Sequence, residues 1–152
     1  MLSDRMKLSN EVIIDRSNLA YESSGGYLEG HPLLATRIKA MMHIAMHDAL
    51  NAIVPVYQSY AYHPQEKFHL ANPVAACASA AHTVLMASYP DSAALFDAQL
   101  AASLSGIPDG PAKTKGIELG MAAGNAIIAM RANDGAFQYP LSYWPTSRRR
   151  GS

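Results

Sequence analysis

Apolar positions recur every three to four residues along several stretches of the chain, and polar residues, glycine and proline separate those stretches. The clearest spans 32–54, where Leu34, Ile38, Met41, Met42, Ala45, Ala49, Leu50 and Ile53 repeat at helical spacing. Pro32 suits the first turn of that helix and Pro55 ends it. A helix over 73–88 follows, with Asn72 as its N-cap and Pro73 at the first position. Asp91 is expected to cap the next, with Ala94, Leu95, Ala98, Leu100, Ala101 and Leu104 facing inward and Gly106 ending it. The run Asp109-Gly110-Pro111 opens a helix to about residue 132, closed by Asn133-Asp134-Gly135. Near the start, Ile13, Ile14 and Leu19 share a face of a short helix over 12–21, although Val12-Ile13-Ile14 would also suit a strand. Residues 56–70 carry Tyr57, Tyr60, Tyr62, Pro64 and Phe68, and read as an irregular connection packed by its rings.

These elements predict an all-α protein, a bundle of four to five helices that are mostly antiparallel because their connections are short. The bundle is expected over 11–135, after an N-terminal stretch 1–10 that is disordered or extended and before an irregular tail, 136–152. Residues 23–26, Ser-Ser-Gly-Gly, break the chain after the first helix. Gly116, Gly120 and Gly124 fall four apart on the last helix, with Ala112 on the same stripe. Each glycine costs about 1 kcal/mol relative to alanine inside a helix. Three in register therefore imply that the third or fourth helix approaches closely along that stripe.

Composition narrows the function classes. Hydrophobic residues make up 49% of the chain, enough for a real core. Twelve basic side chains balance twelve acidic ones, so no field attracts a polyanion and no nucleic-acid partner is expected. The one basic cluster, Arg148 to Arg150, reads as a solvated end. Cys77 is the single cysteine and lies in an alanine-rich helix, where a buried inert thiol is expected. Residues 68–90 carry no charged side chain, but their alanines, serines, histidines and proline suit a buried helix better than a membrane span. No signal-peptide h-region is seen, and the compartment stays open.

Candidate chemistry is sparse. His43 and His47 stand four apart on the second helix with Asp48 beside them, a set that could in principle hold zinc. The glutamate that follows the first histidine in the metalloprotease helix is missing, and Asp48 points about 100° away from His47 around the helix. The imidazoles are instead expected to bond to neighbouring backbone or to Asn51, and no metal is assigned. His82 reads as a satisfied, semi-buried histidine. His31, His63 and His69 lie in loops without ligand spacing. Met41, Met42 and Met46 read as core filling. There is no nucleophile elbow, no Cys/His pairing and no phosphate loop, so no catalytic or cofactor-binding residue is expected.

Residues 40–53 around His43, His47, Asp48 and Asn51, residues 80–85 around His82, and residues 107–113 followed by Gly116, Leu119, Gly120 and 131–135 carry a combined resemblance. In order and spacing they resemble the N-terminal half of bacterial vanadium-dependent haloperoxidase-related proteins, of the type 2 phosphatidic acid phosphatase superfamily. The likeness runs over about residues 11–135 and implies an all-α fold of paired bundles. That family's active site grips vanadate or phosphate through Lys…Arg-Pro, Pro-Ser-Gly-His and Ser-Arg…His segments. None of them occurs here; Ser147-Arg148 has no histidine after it, and Tyr143-Trp144-Pro145 is a faint echo. An oxyanion needs convergent cations and a histidine. No family catalytic residue carries over, and vanadate is expected only in the full-length family.

The resemblance thus implies a helical scaffold portion of a vanadium haloperoxidase- or acid phosphatase-like protein, inactive alone. Such a scaffold is expected to expose an apolar face, covered by a second copy or by a second helical chain. The alternative is a self-sufficient helical interaction or small-ligand-binding module.

Overall fold

A computed structural model describes residues 10–23 and 32–137, and all statements below concern those residues. The expectations for the N-terminal stretch, the Ser-Gly break with His31, and the tail with Arg148 to Arg150 lie outside the described residues, except at Asn10, Ser23, Ala136 and Phe137. Five α-helices account for the fold: α1 (Glu11–Ser23), α2 (Pro32–Ile53), α3 (Pro73–Ser88), α4 (Ala93–Ser105) and α5 (Pro111–Met130). There is no strand among the described residues, so the Val12-Ile13-Ile14 run resolves as helix. The protein is an all-α helical bundle.

Local chemistry explains the start of α3. Asn72 caps α3 as expected, its side-chain oxygen accepting the Ala75 N–H at 2.9 Å, with Pro73 at the first position. The fourth helix begins differently from expectation. Residues Pro90–Ser92 form a 3-10 turn, α4 proper starts at Ala93, and Asp91 caps nothing.

Helix α3 occupies the centre, packing against each of the other four. Its two largest neighbours, α5 and α2, run in opposite directions. The Gly116, Gly120 and Gly124 stripe of α5 climbs α3 in step past Asn72, Ala76, Ala80 and Thr83, so α3 and α5 run parallel. The start of α2 instead meets the ends of α3 and α5, which makes α2 antiparallel to both. The glycine stripe marks the closest approach: a Cβ built on Gly116 would lie 2.5 Å from the Asn72 carbonyl oxygen, and one on Gly120 2.7 Å from the Ala80 nitrogen. The Asn72 N–H also donates to the Ala112 carbonyl at 2.8 Å, fastening the start of α3 to the start of α5.

The core runs between α2, α3 and α5. Met42, Ala45, Met46, Val84, Leu85, Leu119, Ala123 and Ile127 are at most 2% exposed, which places the methionines in the core as expected. Helix α4 contributes less than its composition suggests. Only Phe96 is buried, while Ala94, Leu95, Ala98 and Ala101 of the expected inward stripe are exposed. The face actually turned inward is Phe96, Gln99, Leu100 and Ser103, and on it the Gln99 backbone carbonyl and the Ser103 hydroxyl serve Arg16. That guanidinium, fully buried on α1, donates through Nη2 to the Gln99 carbonyl at 3.0 Å and to Ser103 Oγ at 2.7 Å. The connection over 56–70 is also held differently from expectation. Phe68 is buried, but Tyr57 and Tyr60 are exposed, so the rings do not organise it.

Candidate functional site

Polar side chains on the last turns of α2 organise that connection. Asp48 is fully buried, and its carboxylate takes three backbone N–H bonds: Tyr60 on Oδ1 at 2.8 Å, Ala61 and Tyr62 on Oδ2 at 2.7 and 2.8 Å. Asn51, three residues on and therefore on the same side of the helix, continues the pattern. Its Oδ1 accepts Val56 and Tyr57 N–H, while its Nδ2 donates to the Tyr57 carbonyl. Two short side chains thus pair six backbone groups, five N–H and one carbonyl, of a segment with no regular structure of its own, which would otherwise leave them unpaired beside the core.

Asp48 is also bonded to His47. Burial pushes the Asp48 carboxyl upward, but the backbone donors Tyr60, Tyr62 and Ala61, together with His47, outweigh it and hold its pKa below the ordinary carboxylate value. The carboxylate is therefore ionised, and His47 Nδ1–H donates to Asp48 Oδ1 at 3.1 Å. Nδ1 is therefore a protonated nitrogen, and Nε2 makes no hydrogen bond among the described residues. The His47 side chain is 42% exposed and leans toward the Tyr57 ring, 6.2 Å between centroids. His43, one turn earlier, is exposed too. Partial desolvation of its ring against the helix and the neighbouring Lys39 ammonium lower its pKa, favouring neutral imidazole. The expectation that Asn51 would hold an imidazole is corrected: Asn51 is spent on the connection, and His47 bonds to Asp48.

The other histidines are placed as follows. His82 on α3 is semi-buried and satisfied, its Nε2 2.8 Å from Asp97 Oδ1 on α4. His63 and His69 are exposed in the connection, and His31 lies outside the described residues. Among the described residues no group of three or more His, Cys, Asp or Glu side chains could hold a metal ion. No described helix is long and apolar enough to cross a membrane.

Cys77 is buried on α3 and free. Burial pushes its thiol up to about 12, the nearby Arg16 guanidinium opposing this only in part. Thiolate is the reactive form, so Cys77 of the native protein is expected to resist maleimides and aromatic disulfides at neutral pH and to react once the chain is unfolded. Stoichiometric labelling of the folded protein within minutes would contradict this.

At the opposite end of α2 lies an open groove of about 330 Å³ between α2, α3 and α5, floored by Leu34, Ile38, Met41 and Ile128, with Arg37 and Arg131 at its edge. Arg37 grips Asp134 with two 3.1 Å bonds and donates to the Arg131 carbonyl, tying α2 to the turn after α5. Arg131 donates to the Tyr60 hydroxyl at 2.6 Å.

Comparison with family models, with curated proteins and with solved structures finds no match.

The sequence reading missed three of these polar arrangements: the buried Arg16, the anchoring role of Asp48, and the arginines beside the groove. The only signal for the second was an aspartate on a stretch otherwise apolar at Met42, Ala45, Met46 and Ala49. A carboxylate among core positions must be paired or bonded.

Proposed function

We propose that this chain serves as the helical scaffold portion of a vanadium haloperoxidase- or acid phosphatase-like protein, with anion binding and catalysis carried by other segments. One observation supports the reading above the rest. The residues that carry the resemblance, 40–53, 80–85, and 107–113 with Gly116, Leu119, Gly120 and 131–135, fall on α2, on α3, and on α5 with the turns at its two ends, and these helices pack on one another. Scattered in sequence, they converge in one structural unit, as the shared framework of a family should.

Leu33, Leu70, Leu95 and Met121 supply exposed apolar surface for a covering chain, a second copy or a second helical chain. Light scattering across a concentration series, with vanadate-dependent bromination and phosphomonoester hydrolysis assayed on the same sample, tests this. The scaffold reading expects self-association and no turnover. Turnover by contaminant-free protein, or a clean monomer at high concentration, overturns it.

The groove favours a second reading, a small-ligand-binding module. Its volume falls within the usual range of ligand sites, roughly 300–1,000 Å³. An apolar floor with Arg131 at the edge, its charge not matched by a carboxylate among the described residues as that of Arg37 is by Asp134, suits a small amphipathic anion. A monomer that unfolds cooperatively, and whose Tm rises with such a ligand, selects this reading over the first.

A further inference from the structure

We infer that His43 and His47 on α2 form a two-imidazole chelate for a late first-row divalent cation, tightest for Cu²⁺, with water completing the coordination. The inference is independent of the scaffold reading. Two residues four apart on a helix are neighbours on its surface, with Cβ atoms about 5–6 Å apart. A metal held by imidazoles at such spacing is a recurrent arrangement. Both imidazoles are exposed on the solvent side of α2, opposite the core residues Met42, Ala45, Met46 and Ala49. Neither ring is needed by the fold beyond the one bond from His47 to Asp48.

That bond is the second, independent observation. A metal-ligating histidine commonly donates its other ring N–H to a carboxylate, which fixes the tautomer and raises ligand basicity. His47 does so here: Nδ1 donates to Asp48, and Nε2 is the ring nitrogen without a hydrogen bond among the described residues, the atom that would ligate the metal. Asp48 is itself immobilised by three backbone N–H bonds, so the orienting group does not move when the ring is engaged. His43 has no hydrogen bond among the described residues, which leaves its ring free to rotate toward the same ion.

The donor set predicts the character of the site. Two protein donors fall short of the three or four of resident zinc centres, so the ion exchanges readily with solvent. Imidazole nitrogen suits copper, nickel and zinc, and the general affinity order places Cu²⁺ highest among them. Asp48 does not enter the coordination, because both its oxygens are already engaged.

Titration calorimetry of the full chain with CuCl₂ at pH 7.5, paired with electron paramagnetic resonance of the one-to-one complex, tests the site. The expected result is one saturable ion per chain and a spectrum with two coupled imidazole nitrogens. His43→Ala and His47→Ala should each weaken binding at least about tenfold and leave one coupled imidazole. Both positions are exposed, so circular dichroism should show unchanged helix content, and a variant that fails to fold is replaced by His43→Gln or His47→Gln. Equal affinity and identical spectra in the wild type and both variants would place the copper at His63, His69 or elsewhere and overturn the inference. Loss on one substitution only would reduce the site to a single imidazole and overturn it equally.

Discussion

Gly120→Val is expected to cost about 3 kcal/mol or more, enough to lower Tm by roughly 6–12 °C in a chain of this size. The Cβ would overlap the Ala76 carbonyl oxygen and approach the Ala80 nitrogen and Ser79 Cβ, each at 2.7 Å. Two of these are backbone atoms of α3, which no rotamer change can move. The two helices must separate along their length, and Leu119, Ala123 and Ile127 would lose packing with them. Valine also adds branched bulk that the site has no space to take. Gly106→Ala is the matched control. Gly106 has ordinary right-handed backbone and nothing within 4 Å of an added Cβ, so substitution there should leave Tm unchanged or slightly raised. Thermal unfolding of the two variants beside the parent checks the pair. Equal Tm values would mean that the glycine stripe does not set the helix separation.

Asp48→Asn should be nearly as damaging, for a different reason. The amide puts an NH₂ group where one carboxylate oxygen accepts backbone N–H groups, leaving buried donors of residues 60–62 unpaired at about 1–3 kcal/mol each. The expected loss is about 3 kcal/mol, accompanied by faster proteolysis within the connection over 54–72. The pH dependence gives a sharper signature. The pKa of Asp48 lies lower in the folded protein than the ordinary value of 3.8. Its stabilising contribution is therefore complete above that value and is lost as pH falls through the folded-state pKa. Parent and variant should differ most at neutral pH and converge in acid. A difference that stays constant from pH 7 to pH 2.5 would show that the carboxylate's charge is not what holds the connection.

Much of the fold was legible in the sequence because its causes are local. Pro32, Pro73 and Pro111 start helices, since each fixes a helical φ where its missing N–H costs nothing. Asn72 offers a side-chain acceptor to a free N–H one turn ahead. Helical spacing of Met42, Ala45, Met46 and Ala49 identifies a buried face whatever covers it. The glycine stripe predicted a close helix neighbour, since three costly residues in register need a steric reason.

Tertiary structure decided what depends on a partner remote in sequence. Helix α4 is apolar on most sides, so periodicity could not choose its inward face; Arg16, 83 and 87 residues away from Gln99 and Ser103, chose it. The glycines left open whether the third or fourth helix was their neighbour, and the chain path brought α3 alongside, running parallel. His43, His47 and Asp48 were visible as a candidate set, but only the folded connection showed that Asp48 is committed to the backbone of residues 60–62 and orients His47 from behind. Hydrophobic spacing and capping act within one or two turns, so a single sequence carries them. The pairing of a buried charge or carboxylate is settled by whichever group the fold brings within hydrogen-bond reach, and only the assembled helices hold that information.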